Sequence, residues 1–164
     1  MAVIVQYTRN VVIIDSNASP RGGSALAEAK LDTVYPSGTA VGQADLATAV
    51  DLTVAASGNV DWDARAALQL STQSACNGAE LAYLLFRVPS TASGNVTVKV
   101  AASNGLDILN GSTDGIVIRA GGSIEFNFLN AVGPAMDASN RLINIANAGA
   151  SDVVVEITAA FRSA

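Results

Sequence analysis

TDGIVIRAGGSIEFNF, residues 113–128, decides the fold class. Ile116 and Ile118 alternate with Val117 and Arg119. Beyond Ala120, Gly121 and Gly122 the alternation resumes, with Ile124, Phe126 and Phe128 set against Glu125 and Asn127. A period of two places alternate side chains on opposite faces of a strand, so one face is apolar and the other polar. That is the signature of an antiparallel sheet with one side on a core and one in water. The paired glycines supply the positive φ of a tight reversal, and the stretch is expected to be a β-hairpin.

The same alternation recurs outward from this point. Residues 95–101 (NVTVKVA) set Val96, Val98 and Val100 against Thr97 and Lys99, while residues 81–88 (LAYLLFRV) are apolar throughout and stop at Pro89, which cannot donate to a ladder. Residues 51–56, 66–70, 106–109, 141–146 and 153–161 supply further strand candidates. Trp62 falls just after a Ser57-Gly58-Asn59 turn. Ala56-Ser57-Gly58-Asn59-Val60 returns as Ala92-Ser93-Gly94-Asn95-Val96, which reads as one turn chemistry used twice, since a solenoid needs at least three units at constant period. About eight short strands separated by Gly, Asn and Ser turns predict an all-β protein, an antiparallel β-sandwich of jelly-roll-like type with an extended N-terminal arm.

The first third differs. Residues 3–5 and 11–14 are β-branched runs, but residues 16–48 hold two prolines and four glycines and show weak periodicity, with a short helix expected over residues 24–31. The division that follows is an N-terminal arm or docking segment over residues 1–48 and a β-sandwich domain over residues 49–164.

Composition narrows the function classes. Fourteen acidic residues against nine basic ones give a formal net charge of -5, and no strand carries a basic stripe, so a nucleic-acid partner is not expected. No apolar run approaches the ~18 residues that span a bilayer. Charged residues make up 14% of the chain, against about 25% in an average globular protein. Such a surface is either covered by small neutral residues or partly hidden against another protein. Cys76 is the single cysteine and the chain has no histidine, which excludes an intrachain disulfide, a Ser-His-Asp triad and a His-based zinc site. No enzymatic activity and no cofactor are expected.

One cluster invites a ligand. Asp61, Trp62 and Asp63 place two carboxylates around an aromatic ring, which admits a Ca²⁺ ion held with loop carbonyls or a sugar stacked on the indole. It also reads as a turn whose carboxylates cap backbone amides while Trp62 plugs one end of the sandwich.

The succession LLFRVP, GNVTVKV, DGIVIRAGGSIEFNF and NAGASDVVVEITAAFRS over residues 50–164 resembles the small β-sandwich auxiliary proteins of tailed-bacteriophage virions, head decoration (cement) proteins in particular. The resemblance implies a virion protein on the capsid surface, synthesised in the host cytoplasm. Its partners would be the major capsid protein and copies of itself, as a homotrimer or dimer. The arm then contacts capsid or subunit, with Val3, Ile4, Val5, Tyr7, Val11, Val12, Ile13 and Ile14 as contact residues able to add a strand to an exposed sheet edge. The competing expectation is a receptor- or carbohydrate-binding module of a phage tail or baseplate, using Asp61, Trp62 and Asp63.

Overall fold

The computed structural model describes residues 5–15, 25–70, 72–109, 111 and 113–163. It is all-β. The strands are β1 (Val5–Asp15), β2 (Ala25–Tyr35), β3 (Leu46–Val54), β4 (Asn59–Asp63), β5 (Glu80–Arg87), β6 (Val96–Val100), β7 (Gly115–Ile118), β8 (Ser123–Asn127), β9 (Leu142–Asn147) and β10 (Val153–Arg162). Eight of them build two four-stranded antiparallel sheets, ordered β3-β10-β5-β8 and β4-β9-β6-β7. β1 and β2 form a separate antiparallel ribbon, paired residue by residue from Val5 opposite Tyr35 to Asp15 opposite Ala25.

Alternation explains which face each strand buries. In β10, Val153, Val155, Ile157, Ala159 and Phe161 are buried in the main core, while Val154 and Thr158 are exposed. β6 does the same with Val96, Val98 and Val100, and β9 with Ile143 and Ile145. These inward faces meet in one cluster, where the Trp62 ring of β4 stands edge-on to the Phe86 ring of β5, 6.3 Å between centroids and 83° between planes. Fully burying each large apolar side chain contributes about 1.5–3 kcal/mol, and an edge-to-face ring pair adds about 0.5–1.5 kcal/mol.

The structure corrects several expectations. Residues 113–128 are not a hairpin: β7 pairs with β6 in one sheet and β8 with β5 in the other. Residues 119–122 make a turn, closed by the Gly122 N–H donating to Arg119 O (2.8 Å), with Gly121 at φ 80°. That positive φ at the third position calls for glycine. The turn is pinned by Val88, whose N–H donates to Gly122 O and whose carbonyl accepts from Gly121 N, both at 2.9 Å. The chain crosses there from one sheet to the other. Where a helix was expected over residues 24–31, residues 25–31 belong to strand β2, because an alternating partner in register overrides the helical preference of Ala and Leu, and Ser24 lies outside the described residues. Residues 66–70 and 106–109 are irregular, and β4, which holds Asp61, Trp62 and Asp63, is a strand where a turn was expected. Residues 46–48, placed above in the docking segment, are the first residues of β3.

Two buried polar side chains fasten the ends of the body. Asn147 donates to Val54 O, Ala55 O and Ser151 O and accepts from Gly149 N (2.9 Å). Both copies of the repeated turn reach this corner: Ser57 N donates to Gly149 O, and Gly94 lies against Gly149.

At the opposite end Arg162, 1% exposed, points away from the main core, as its even position in β10 requires. It is buried on the outer face under two loops. Its Nε donates to Gln43 O (3.0 Å), Nη1 to Ala131 O (3.1 Å) and to the Glu80 carboxylate, and Nη2 to Phe128 O (3.0 Å) and Leu129 O (2.8 Å). Glu80 also accepts from Gly133 N (2.7 Å), and Ala44, Ala82, Leu129 and Ala160 form a small second core alongside.

Removing one partner of a buried, hydrogen-bonded ion pair costs about 3–5 kcal/mol. Arg162→Met is therefore expected to lose that much stability in urea unfolding. Arg87→Ala, which removes an outward pair with Glu156 (3.2 Å, side chains 61% and 39% exposed), is expected to change it by less than about 1 kcal/mol.

Candidate functional site

β4 sets Asp61 and Asp63 on the outer face of its sheet and turns Trp62 inward. The two carboxylates have different partners. Asp61 Oδ1 accepts from Asn144 Nδ2 of the neighbouring strand at 2.6 Å. Asp63 Oδ1 accepts from the backbone N–H groups of Arg65 (3.0 Å) and Ala66 (3.1 Å), capping the turn that follows β4, and its Oδ2 pairs with Arg141 at 3.1 Å. Trp62, 7% exposed, has its ring in the core against Phe86 and offers no open face for stacking a sugar. Among the described residues no group of three or more Asp, Glu or Cys side chains is placed to hold a metal ion.

Charge gathers where β4 ends and β9 begins. Asp137 is held below the ordinary carboxylate range, first by the Ser139 N–H at 2.6 Å, then by Asn140 and the nearby Arg65. The Nε atoms of Arg65 and Arg141 are buried without a hydrogen-bond partner. Both guanidinium groups sit among carboxylates, Arg141 paired with Asp63 and Arg65 close to Asp137, which gives a balanced surface cluster.

Of the expected contact residues, Val5, Tyr7, Val11, Val12, Ile13 and Ile14 lie in β1, and Val3 and Ile4 lie outside the described residues. Sequence reasoning missed the importance of Arg162, Glu80 and Asn147. Arg162 sits at an outward position at the end of a strand, where an arginine normally faces water.

The Cys76 thiol is buried and desolvation pushes its pKa up to about 11, so the nucleophilic thiolate is scarce at neutral pH. The folded pKa lies above the unfolded one, and between the two the unfolded chain has released a proton that the folded chain retains. Stability is thus expected to fall as pH rises from the ordinary thiol range towards about 11, and Cys76→Ser should flatten that slope in unfolding curves. For β4, Trp62→Ala is expected to cost about 3–5 kcal/mol through the cavity it leaves. Asp61→Ala, on the surface, should change stability by no more than about 0.5 kcal/mol, with thermal or chemical melts reading both.

Comparison with protein-family models, curated proteins and solved structures finds no match to this chain.

Proposed function

We propose that the chain is a structural virion protein that binds the outside of a bacteriophage capsid and stabilises the shell, acting through the major capsid protein and copies of itself. The observation that carries this reading is the pairing of a rigid eight-stranded body with a separate two-stranded ribbon rooted in it. The strand order β3-β10-β5-β8 and β4-β9-β6-β7 supports reading the body as a jelly roll, a scaffold used in viral capsids and in lectins alike. The lectin-like branch is disfavoured by Trp62, whose ring packs inward. Enzymatic chemistry finds little to work with in a chain that has no histidine and a buried cysteine.

In this reading the β1–β2 ribbon is the N-terminal arm, and Val3, Ile4, Val5, Tyr7, Val11, Val12, Ile13 and Ile14 supply contacts to capsid or neighbouring subunit. Many modest contacts repeated over a shell multiply into firm attachment without charged hot spots, which suits a surface with 14% charged residues.

The test is reconstitution. Purified chain added to preformed shells that lack it should co-sediment with them and raise their melting temperature. A chain without residues 1–35 should bind more weakly and give a smaller rise. Shells whose melting is untouched by the intact chain would reject the decoration role.

A further inference from the structure

We infer that the free edge of β3 is a strand-addition site for a partner protein, whose extended segment pairs antiparallel with residues 49–53 and sets a lysine or arginine against Asp51. A second copy of this chain is the wrong occupant, for a reason that lies in Asp51 itself.

β3 ends its sheet, with β10 as its one neighbouring strand among the described residues. In an antiparallel strand successive residues turn their N–H and C=O groups to alternate edges. Ala47 O accepts from Leu70 N (2.9 Å), which belongs to a loop outside the sheet, so Ala47 is an outward residue. Ala49, Asp51 and Thr53 share its parity. Among the described residues none of their backbone N–H or C=O groups has a partner. Leu70 closes one end of this edge, and the turn in which Gly58 N donates to Ala55 O (3.0 Å) closes the other. Residues 49–53 remain open, roughly 17 Å of ladder. The usual guards of an edge are absent, since β3 has no proline, no lysine and no bulge against β10. At nine residues it is also the longest of the four edge strands of the body, β4, β7 and β8 having five, four and five.

Side chains on both faces choose the occupant. Val50, 36% exposed, and the half-buried Leu52 leave apolar surface at the open side of the sandwich. Apolar residues on either side of the one opposite Asp51 would cover them, because neighbours on a strand point to opposite faces. On the outer face the register lines up Asp51, Glu156 and Arg87 on adjacent strands. Arg87 pairs with Glu156 (3.2 Å), while Asp51 has no ion-pair or hydrogen-bond partner among the described residues. Like charges directly opposite each other destabilise a sheet. A cation on the added strand completes a row that reads positive, negative, negative, positive. There is room for it. Ala49 and Thr158, small and opposite each other, join Val50, Asp51, Glu156 and Ile157 around an open hollow of about 320 Å³, where the aliphatic stem of a lysine or arginine can lie beside the two carboxylates.

A second copy meets the opposite field. Pairing two β3 edges about a two-fold axis over residues 49–53 sets Asp51 directly against Asp51 of the copy and adds a second Glu156 to the cluster. An alternating apolar and basic segment instead gains backbone hydrogen bonds to all three outward residues together with the charge.

The probe is a blocked pentapeptide, threonine-valine-lysine-valine-threonine, titrated into the intact nitrogen-15-labelled chain and followed by amide chemical shifts and hydrogen exchange. Saturable binding in the millimolar range is expected, with the amides of Ala49, Asp51 and Thr53 shifting most and exchanging more slowly. Glutamate in place of the peptide's lysine, or Asp51→Lys in the chain, should weaken binding about fivefold. Asp114→Lys, an equal charge change beside β7 in the other sheet, should leave it as in the parent. Ala49→Pro removes an outward donor without touching the ladder to β10, so it should abolish binding while melting stays close to the parent's; where the proline variant melts early, Asp51→Lys decides. Absence of a saturable shift, shifts scattered over the body, or binding that survives Asp51→Lys would overturn the inference. So would a parent that sediments as a dimer broken by Ala49→Pro, since the edge would then belong to a second copy. Peptide capture by a chain that never attaches to shells would sustain this site and sink the decoration role, and shell attachment without peptide capture would do the reverse.

Discussion

Arg162 holds the molecule's architecture together at the point where its two parts meet. A guanidinium group has five N–H donors and no acceptor, and here all five are used: four on backbone carbonyls from two separate loops and one on Glu80. Burying such a charge is costly unless every donor is met. Its burial therefore obliges residues 36–45 and 128–133 to lie where their carbonyls and Glu80 converge. The segment leading out of the ribbon is tied by the same group to the last strand of the body. Gly133 shows how tight the closure is, because a Cβ there would lie 1.9 Å from Leu81 O.

The consequence for the two sheets is a division of labour between their faces. Their inner faces are joined by non-directional apolar packing around Trp62 and Phe86, which fixes the sheet separation while leaving the loops free. The loops are set instead by directional polar plugs, Arg162 at one end and Asn147 at the other. Hydrophobic burial supplies most of the stability, and these two side chains decide where irregular backbone sits.

Much of the body is legible in the sequence because alternation records which way each side chain faces. Val96, Val98 and Val100, or Val153, Val155 and Ile157, announce their burial by position alone. The same signal does not record which strand lies alongside. Ile118 faces the common core from one sheet, and Ile124 and Phe126 face it from the other. A hairpin and a crossover between facing sheets produce one and the same pattern, and the glycine turn serves either. Pairing is a non-local property decided by Val88 clamping that turn. β4 was hidden for a related reason. Its Asp61 and Asp63 carry turn chemistry in a strand whose only large apolar anchors are Val60 and Trp62. Alternation in β10 gives Arg162 an outward position, and its burial there depends on loops distant in sequence.

The separation of the ribbon from the body follows from these same constraints. Neither sheet takes β1 or β2 as a further strand, and the residues that lead from the ribbon into β3 are spent on covering Arg162 and the small core of Ala44, Ala82, Leu129 and Ala160. The outer face they occupy is no longer open to the ribbon at that end.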